Sequence, residues 1–239
     1  MNTDIFGLAI QDYYTSNSPE DITVIAPDFD DDLIPIAYLF REYSLMPAIE
    51  QKALELSYGT VLDVGCGAGS HSLYLQKEKK LNVKAIDISA GAIRIAHKRG
   101  VSNAACENFF DQEGSYDTLL FLMNGSGIIG RLPNIDYFFT QVKKLLHPKG
   151  QILIDSSDIS YLFEDEDGGF WVDANADYYG EMKYKLRYKG DESEWFDWLY
   201  IDYNTLVNAA NAHGFICECI IKGENNDYLA RITAKKNTL

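Results

Sequence analysis

The chain has 239 residues, 46% of them hydrophobic, enough for one large α/β domain or one domain carrying an insertion. Its 36 Asp and Glu against 21 Lys and Arg give a net charge of −15 at pH 7. That balance disfavours a polynucleotide substrate or an anionic membrane surface, since both need a basic face. No apolar run approaches the ~20 residues that span a bilayer. The start "MNTDIFGLAIQDYY" has neither a basic region nor a small-residue cleavage site. A cytoplasmic protein is the expectation.

In chain order, the first 30 residues are acidic, and "PEDITVIAPDFDDD" shows no helical period, so an ordered or semi-ordered arm is expected there. "LIPIAYLFREYSLMPAIEQKALEL", from Leu33 to Leu56, has helical spacing and predicts two helices separated at Pro47. Strands and helices then alternate. "TVLDVG", "NVKAIDI", "NAACENF", "YDTLLFLM" and "QILIDSS" read as strands. "SHSLYLQKEKK", "AGAIRIAHKR" and "IDYFFTQVKKLL" read as the helices between them, the second with Ser89 as N-cap and Gly100 as its stop. Such alternation predicts a doubly wound, mostly parallel sheet with helices on both faces.

After Asp155 the pattern changes. Residues 156–200 are rich in aromatics and acids, and "MKYKLRYKGDESEWFDWLYI" reads as a β-hairpin turning at Gly190-Asp191. "YNTLVNAANAHG" is a helix stopped at Gly214. "FICECII" and "DYLARITAKK" close the chain as two strands, the last antiparallel. Cys217 and Cys219 fall on one face of the first. With Cys66 and Cys106 they lack metal-ligand or disulfide-framework spacing, so all four are expected as free thiols. The expected division is an arm with cap helices over 1–57 and one unit over 58–239 with an insert at 156–200.

"VLDVGCGAGSHS" carries the chemistry. Asp63 interrupts an apolar run, where an unpaired charge is costly, and Gly65, Gly67 and Gly69 follow at once. Glycines let the chain turn tightly and let a ligand approach the backbone. The helix start that follows offers free N–H groups and a positive dipole end. Asp87, at the end of the next strand, stands twenty positions after Gly67, where such folds carry an acid for ribose hydroxyls.

The dinucleotide pattern is G-x-G-x-x-G, whereas these glycines run G-x-G-x-G. "VLDVGCGAGSHSLYL" resembles motif I of the class I methyltransferases that use S-adenosylmethionine. The resemblance continues through "AIDIS", "ENFFD", "YDTLLFLMNG" and "HPKGQILID", about Val61 to Asp155. It implies a Rossmann-like, seven-stranded sheet, an antiparallel last strand, and a cap of N-terminal helices and a small hairpin insert. It also implies methyl transfer from S-adenosylmethionine, with S-adenosylhomocysteine as product.

By that resemblance Asp63 lies near the cofactor's ammonium, and Gly65, Cys66, Gly67 and Gly69 lie against its methionine and ribose portions. Asp87 holds the ribose hydroxyls and Ile88 packs on the adenine. Asn108 stands where the family often has Asp, and an Asn carbonyl can accept from the adenine amino group too. Phe109 offers its backbone N–H, and Leu122 and Met123 line the pocket. Candidates for positioning the acceptor are Asn124 and Asp158, beyond the carboxyl ends of parallel strands, and Tyr14 by family analogy.

Blander readings stand beside these. His71 reads as a residue of a first helical turn rather than a base, Cys66 as a small filler, and Phe109 and Phe110 as core aromatics. Trp171, Tyr178, Tyr179, Trp195 and Trp198 could grip a cation, though a hairpin packing its own aromatic face accounts for most of them. "FEDEDGG" reads as a lid or a solvated acidic run. The acidic chain points to a small neutral or cationic acceptor, or a protein, and the oligomeric state is left open. Two rivals remain: a non-catalytic nucleoside-binding module, and an NAD(P)-dependent oxidoreductase, against which the missing third dinucleotide glycine speaks.

Overall fold

The structure is a computed structural model and describes residues 3–163 and 178–235. Helix α1 (Ile5–Thr15) comes first, followed by β1 (Ile22–Ala26), β2 (Phe29–Ile34), two 3-10 turns (Ile36–Phe40 and Tyr43–Leu45) and α2 (Ala48–Leu56). The alternating part is β3 (Thr60–Val64), α3 (Ser70–Lys77), β4 (Asn82–Asp87), α4 (Ala90–Arg99), β5 (Ala104–Cys106), β6 (Tyr116–Phe121), α5 (Ile135–Leu145) and β7 (Leu146–Ser157). Then come β8 (Glu181–Tyr188), β9 (Asp191–Glu192), β10 (Phe196–Leu199), α6 (Tyr203–Ala212), β11 (Phe215–Lys222) and β12 (Asp227–Ala234).

Seven strands form the main sheet in the order β11-β12-β7-β6-β3-β4-β5. The pairs β7–β6, β6–β3, β3–β4 and β4–β5 are parallel, and β12 runs antiparallel between β7 and β11. This is the doubly wound sheet that the alternation predicted, with the seven Rossmann-like strands that the resemblance implied. Its faces are filled by two apolar clusters. Phe109, Phe121, Phe138 and Phe139 pack on one, and Leu54, Val61, Leu75 and Val83 on the other. The "HPKG" segment is an excursion within the start of β7: the β6 pairing jumps from Tyr116↔Leu146 to Thr118↔Gln151.

The N-terminal part departs from expectation. "IFGLAIQDYYT" is helical, capped by Asp4, whose side chain accepts from the Gly7 N–H. Its buried residues Ile5, Ala9 and Ile10 recur at helical spacing and pack with Ile95 of α4, a short amphipathic signal masked by its acidic, proline-bearing sequel. Leu33 and Ile34 end a strand, so only the second predicted helix, α2, is an α-helix. The first reduces to 3-10 turns because Arg41 and Glu42 adopt extended backbone, which turns the Arg41 side chain inward.

The expected hairpin forms, but its turn is Lys189-Gly190, one residue earlier than Gly190-Asp191: both residues take positive φ and Asp191 already pairs with Tyr188. It is one part of a second sheet, β10-β8-β1-β2, with β9 on β8. The arm and the insert thus share one sheet: Thr23, Val24 and Ile25 pair with Arg187, Leu186 and Lys185. Trp171 and most of "FEDEDGG" lie outside the described residues. Trp198 packs over Gly127, where any Cβ would overlap its ring, and this contact ties the second sheet to the main one.

Candidate active site

The glycine turn joins β3 to α3 at the carboxyl end of the sheet, with Gly65, Gly67 and Gly69 at φ of +75°, +52° and +83°. Those values favour glycine at each position. The surroundings differ. A Cβ on Gly69 would meet Val101 at 2.6 Å, whereas one on Gly67 would meet nothing within 4 Å. Gly69 is therefore fixed by packing on Val101 and on Ala96 of α4, and Gly67 presents bare backbone to open space.

Asp87 ends β4 and is bound to that turn. One carboxylate oxygen accepts from the Gly67 N–H and the other from the Ser89 N–H, each at 2.8 Å. Burial pushes its carboxyl up, with Asp4 and Asp63 adding to the rise and the two N–H groups opposing it. Each oxygen keeps a second lone pair for a hydroxyl donor. Asp4 lies close by, accepting from the Ser89 hydroxyl at 2.7 Å and the Gly91 N–H at 2.9 Å. Ile88 follows with 78% of its surface exposed, an apolar platform at the strand end.

Asp63 is 2% exposed and accepts from the Ser72 hydroxyl at 2.5 Å, a protein partner that strand patterning does not reveal. Burial pushes its carboxyl up, against the pull of His71 and Ser72. Cys66 is buried, and its thiol is pushed well up by burial and by the charges of Asp63 and Asp87, which fits a filler rather than a nucleophile.

Further along, Asn108 caps a 3-10 turn, its side-chain oxygen accepting from the Phe110 N–H at 2.9 Å. Phe109 is buried against Phe121 and Phe138. Leu122 is buried, and Met123 and Asn124 both take left-handed backbone after β6. That turn is held by Asp155 at the corresponding level of β7, which accepts from the Met123 N–H at 3.1 Å and the Gly125 N–H at 2.9 Å. Burial pushes the Asp155 carboxyl to about 6 against the Gly125 and Asn124 N–H groups. Asn124 accepts from the Ser157 hydroxyl at 2.8 Å. Asp158 accepts from the Tyr179 hydroxyl at 2.8 Å and the Ser160 N–H at 3.0 Å. Tyr14 stands apart: its hydroxyl reaches the Lys98 carbonyl in the last turn of α4.

Sequence reading missed a charged roof. Arg41, Glu50 and His71, from three elements, are all buried. Glu50 joins them, with one oxygen on the Arg41 guanidinium and the other 2.6 Å from His71 Nε2. Burial favours neutral Glu50, but His71 and Arg41 outweigh it and hold the carboxyl below its usual range. Glu50 and Asp63 in turn raise His71 against its own burial. Only the helical spacing of Glu50 among apolar neighbours hinted at an inward carboxylate. A cavity of about 40 Å³ lies between this roof and the turn, lined by Tyr38, Leu39, Arg41, Gly65, Gly67 and Met123 among others.

Comparison with known proteins decides what this arrangement is. A methyltransferase from Bacteroides fragilis, described as dependent on S-adenosylmethionine and solved with S-adenosyl-L-homocysteine, is 48% identical. The match covers 97% of this chain and 94% of that one, with a TM-score of 0.91. The chain belongs to the S-adenosylmethionine-dependent methyltransferases. The methyltransferase domain family matches residues 61–150 of this methyltransferase, the stretch that holds the glycine turn, Asp87 and Asn124. At fold level it is similar to DhpI in its S-adenosylhomocysteine complex, at 15% identity, 98% and 97% coverage and TM-score 0.58. It is likewise similar to DesVI of Streptomyces venezuelae, at 15% identity, 79% and 91% coverage and TM-score 0.57. No curated protein matches the sequence.

Proposed function

We propose that this methyltransferase binds S-adenosylmethionine across the glycine turn and methylates a small neutral or cationic acceptor. The observation that carries the reading is the Asp87 carboxylate fixed on the Gly67 N–H beside open space over that glycine. The residues present fit the nucleoside: bare backbone at Gly67, a carboxylate for the ribose at Asp87, an exposed apolar platform at Ile88 and Asn108 beyond it. Leu122, Met123 and the Phe109 N–H complete the adenine and sulfur sides. Asp63 supplies negative charge behind Gly65 and Cys66 for the ammonium, while Ser72 holds it in place.

When bound, S-adenosylmethionine supplies an electrophilic methyl group, so the protein's task is to align and desolvate the acceptor. Asn124 and Asp158, beyond β6 and β7, hold the acceptor in this reading. Asp158 takes the proton of an acceptor that arrives protonated. Tyr178 donates to Asp202 at 2.6 Å, beside the Tyr179–Asp158 pair, and burial raises both phenols. They therefore stay neutral donors, and the carboxylates beside them favour a neutral or positive acceptor over an anion. Tyr14 serves this site at second hand, by fixing α1 on α4.

The Tyr38–Leu39 strap borders the cavity of about 40 Å³ over the glycine turn. It is fastened by Ser70, whose hydroxyl donates to the Leu39 carbonyl at 2.9 Å, and by Arg99, which donates to the Ala68 and Phe40 carbonyls. The test is transfer of labelled methyl from S-adenosylmethionine across panels of amines, amino sugars, carboxylates and phosphorylated compounds. Turnover on neutral and cationic compounds supports the reading. Turnover confined to anionic acceptors contradicts it, as does none with any class.

A further inference from the structure

Arg41 is the one group of the roof whose hydrogen bonds do not close. Its side chain is 5% exposed and it borders the same cavity as Gly65 and Gly67. One terminal nitrogen donates to the Tyr38 carbonyl at 2.5 Å, the other meets Glu50, and the guanidinium carbon lies 3.5 Å from the centre of the Tyr38 ring. The Nε–H has no acceptor, and it is the only such buried side-chain atom among the described residues. Buried polar groups without partners are rare, and each points to something that completes it.

The surrounding charges say what is missing. Glu50 sets one oxygen on an Arg41 terminal nitrogen and the other on His71, and neither is bonded to Nε. Asp63 is engaged with Ser72. The unmet donor belongs to a permanent cation, so the complement is an anionic oxygen, and a carboxylate suits a guanidinium edge.

We infer that Arg41 is the receptor for the α-carboxylate of the cofactor's amino-acid tail, its Nε–H donating to a carboxylate oxygen from the roof side of the cavity. This rests on the S-adenosylmethionine reading and extends it to the N-terminal segment. Glu50 is the positioning residue: by holding Arg41 and His71 together it joins the strap, α2 and α3 into one support. The zwitterionic tail is then read from two sides, its ammonium by Asp63 and its carboxylate by Arg41. The cavity selects nucleosides that carry both.

The test is calorimetric binding of S-adenosylmethionine and its decarboxylated analogue to the full chain and to Arg41→Met, without acceptor. The wild type should prefer the intact cofactor by about tenfold or more. Arg41→Met should abolish that preference by weakening the intact cofactor alone. A preference that survives in Arg41→Met, or none in the wild type, overturns the assignment. Binding of neither nucleoside by the wild type removes the cofactor reading itself, and this inference with it.

Loss of Arg41 leaves Glu50 short of a partner, so Arg41→Met can fail to fold. Arginine Nε–H signals of the wild type in a ¹H–¹⁵N spectrum, with Arg41→Lys to assign them, cover that case. The Arg41 signal should shift on adding S-adenosylmethionine and stay in place with the decarboxylated analogue. Equal responses to the two overturn the assignment.

Discussion

The two sides of the candidate site are built from different materials. At the glycine turn, Asp87 rests on backbone N–H groups of Gly67 and Ser89, supplied by turns whose geometry glycine and the Ser89 cap dictate. At the roof, Arg41, Glu50 and His71 meet side chain to side chain from three separate elements. The first side needs only the correct local chain. The second exists only once the arm, α2 and α3 have packed, and its charges hold one another against their own burial. Cutting Asp87 is therefore expected to change affinity, and cutting Glu50, which holds the roof together, to change stability.

The largest effect is expected at the roof. Glu50→Ala leaves the buried Arg41 guanidinium without its carboxylate and His71 without its partner, and breaking a buried pair this way costs about 3–5 kcal/mol. Urea unfolding should show that loss; a variant within 1 kcal/mol of wild type, by that same scale, would mean that the roof is solvated. Asp87→Ala is the counterpart. It should weaken S-adenosylhomocysteine about 100-fold, or about 2.7 kcal/mol, by calorimetry. Its melting temperature should stay close to wild type, because ionised Asp87 is itself disfavoured by burial.

These contrasts follow what the sequence makes legible. The strand–turn–helix around Gly67, the Ser89 cap and the place of Asp87 are local patterns, and they appear in the structure where the pattern puts them. The family and the seven-stranded sheet follow from the same stretch. The second sheet was not legible, because β1 pairs with β8 across some 160 positions. β2 is exposed at four of its six positions, so it shows no apolar alternation. Arg41 and Glu50 fall in a segment read only for its helical spacing, and nothing nearby in the chain reveals that they face each other.

A third variant addresses the junction of the two sheets. Gly127→Ala places a methyl group into the Trp198 ring, an overpacking that costs about 1–3 kcal/mol. Hydrogen exchange should quicken first in β10, and uniform quickening would show that the two sheets unfold as one. The smallest effect is a pH dependence. An unfolded aspartate titrates near 3.9, and Asp155 is held at about 6. The folded state therefore binds the extra proton between those values, and the stability gained from that proton is lost as pH rises through 6. Asp155→Asn removes the titration at the expense of one N–H contact. Wild-type stability relative to the variant should fall between pH 4 and 6, by at most about 3 kcal/mol. A flat difference would place the Asp155 carboxyl in contact with water.

The most direct test is calorimetric titration of the wild type and Asp87→Ala with S-adenosylhomocysteine and with NADH. The account predicts that the wild type binds S-adenosylhomocysteine, that Asp87→Ala loses most of that affinity, and that NADH gives no heat. Binding of NADH without S-adenosylhomocysteine, or undiminished binding by Asp87→Ala, would contradict it.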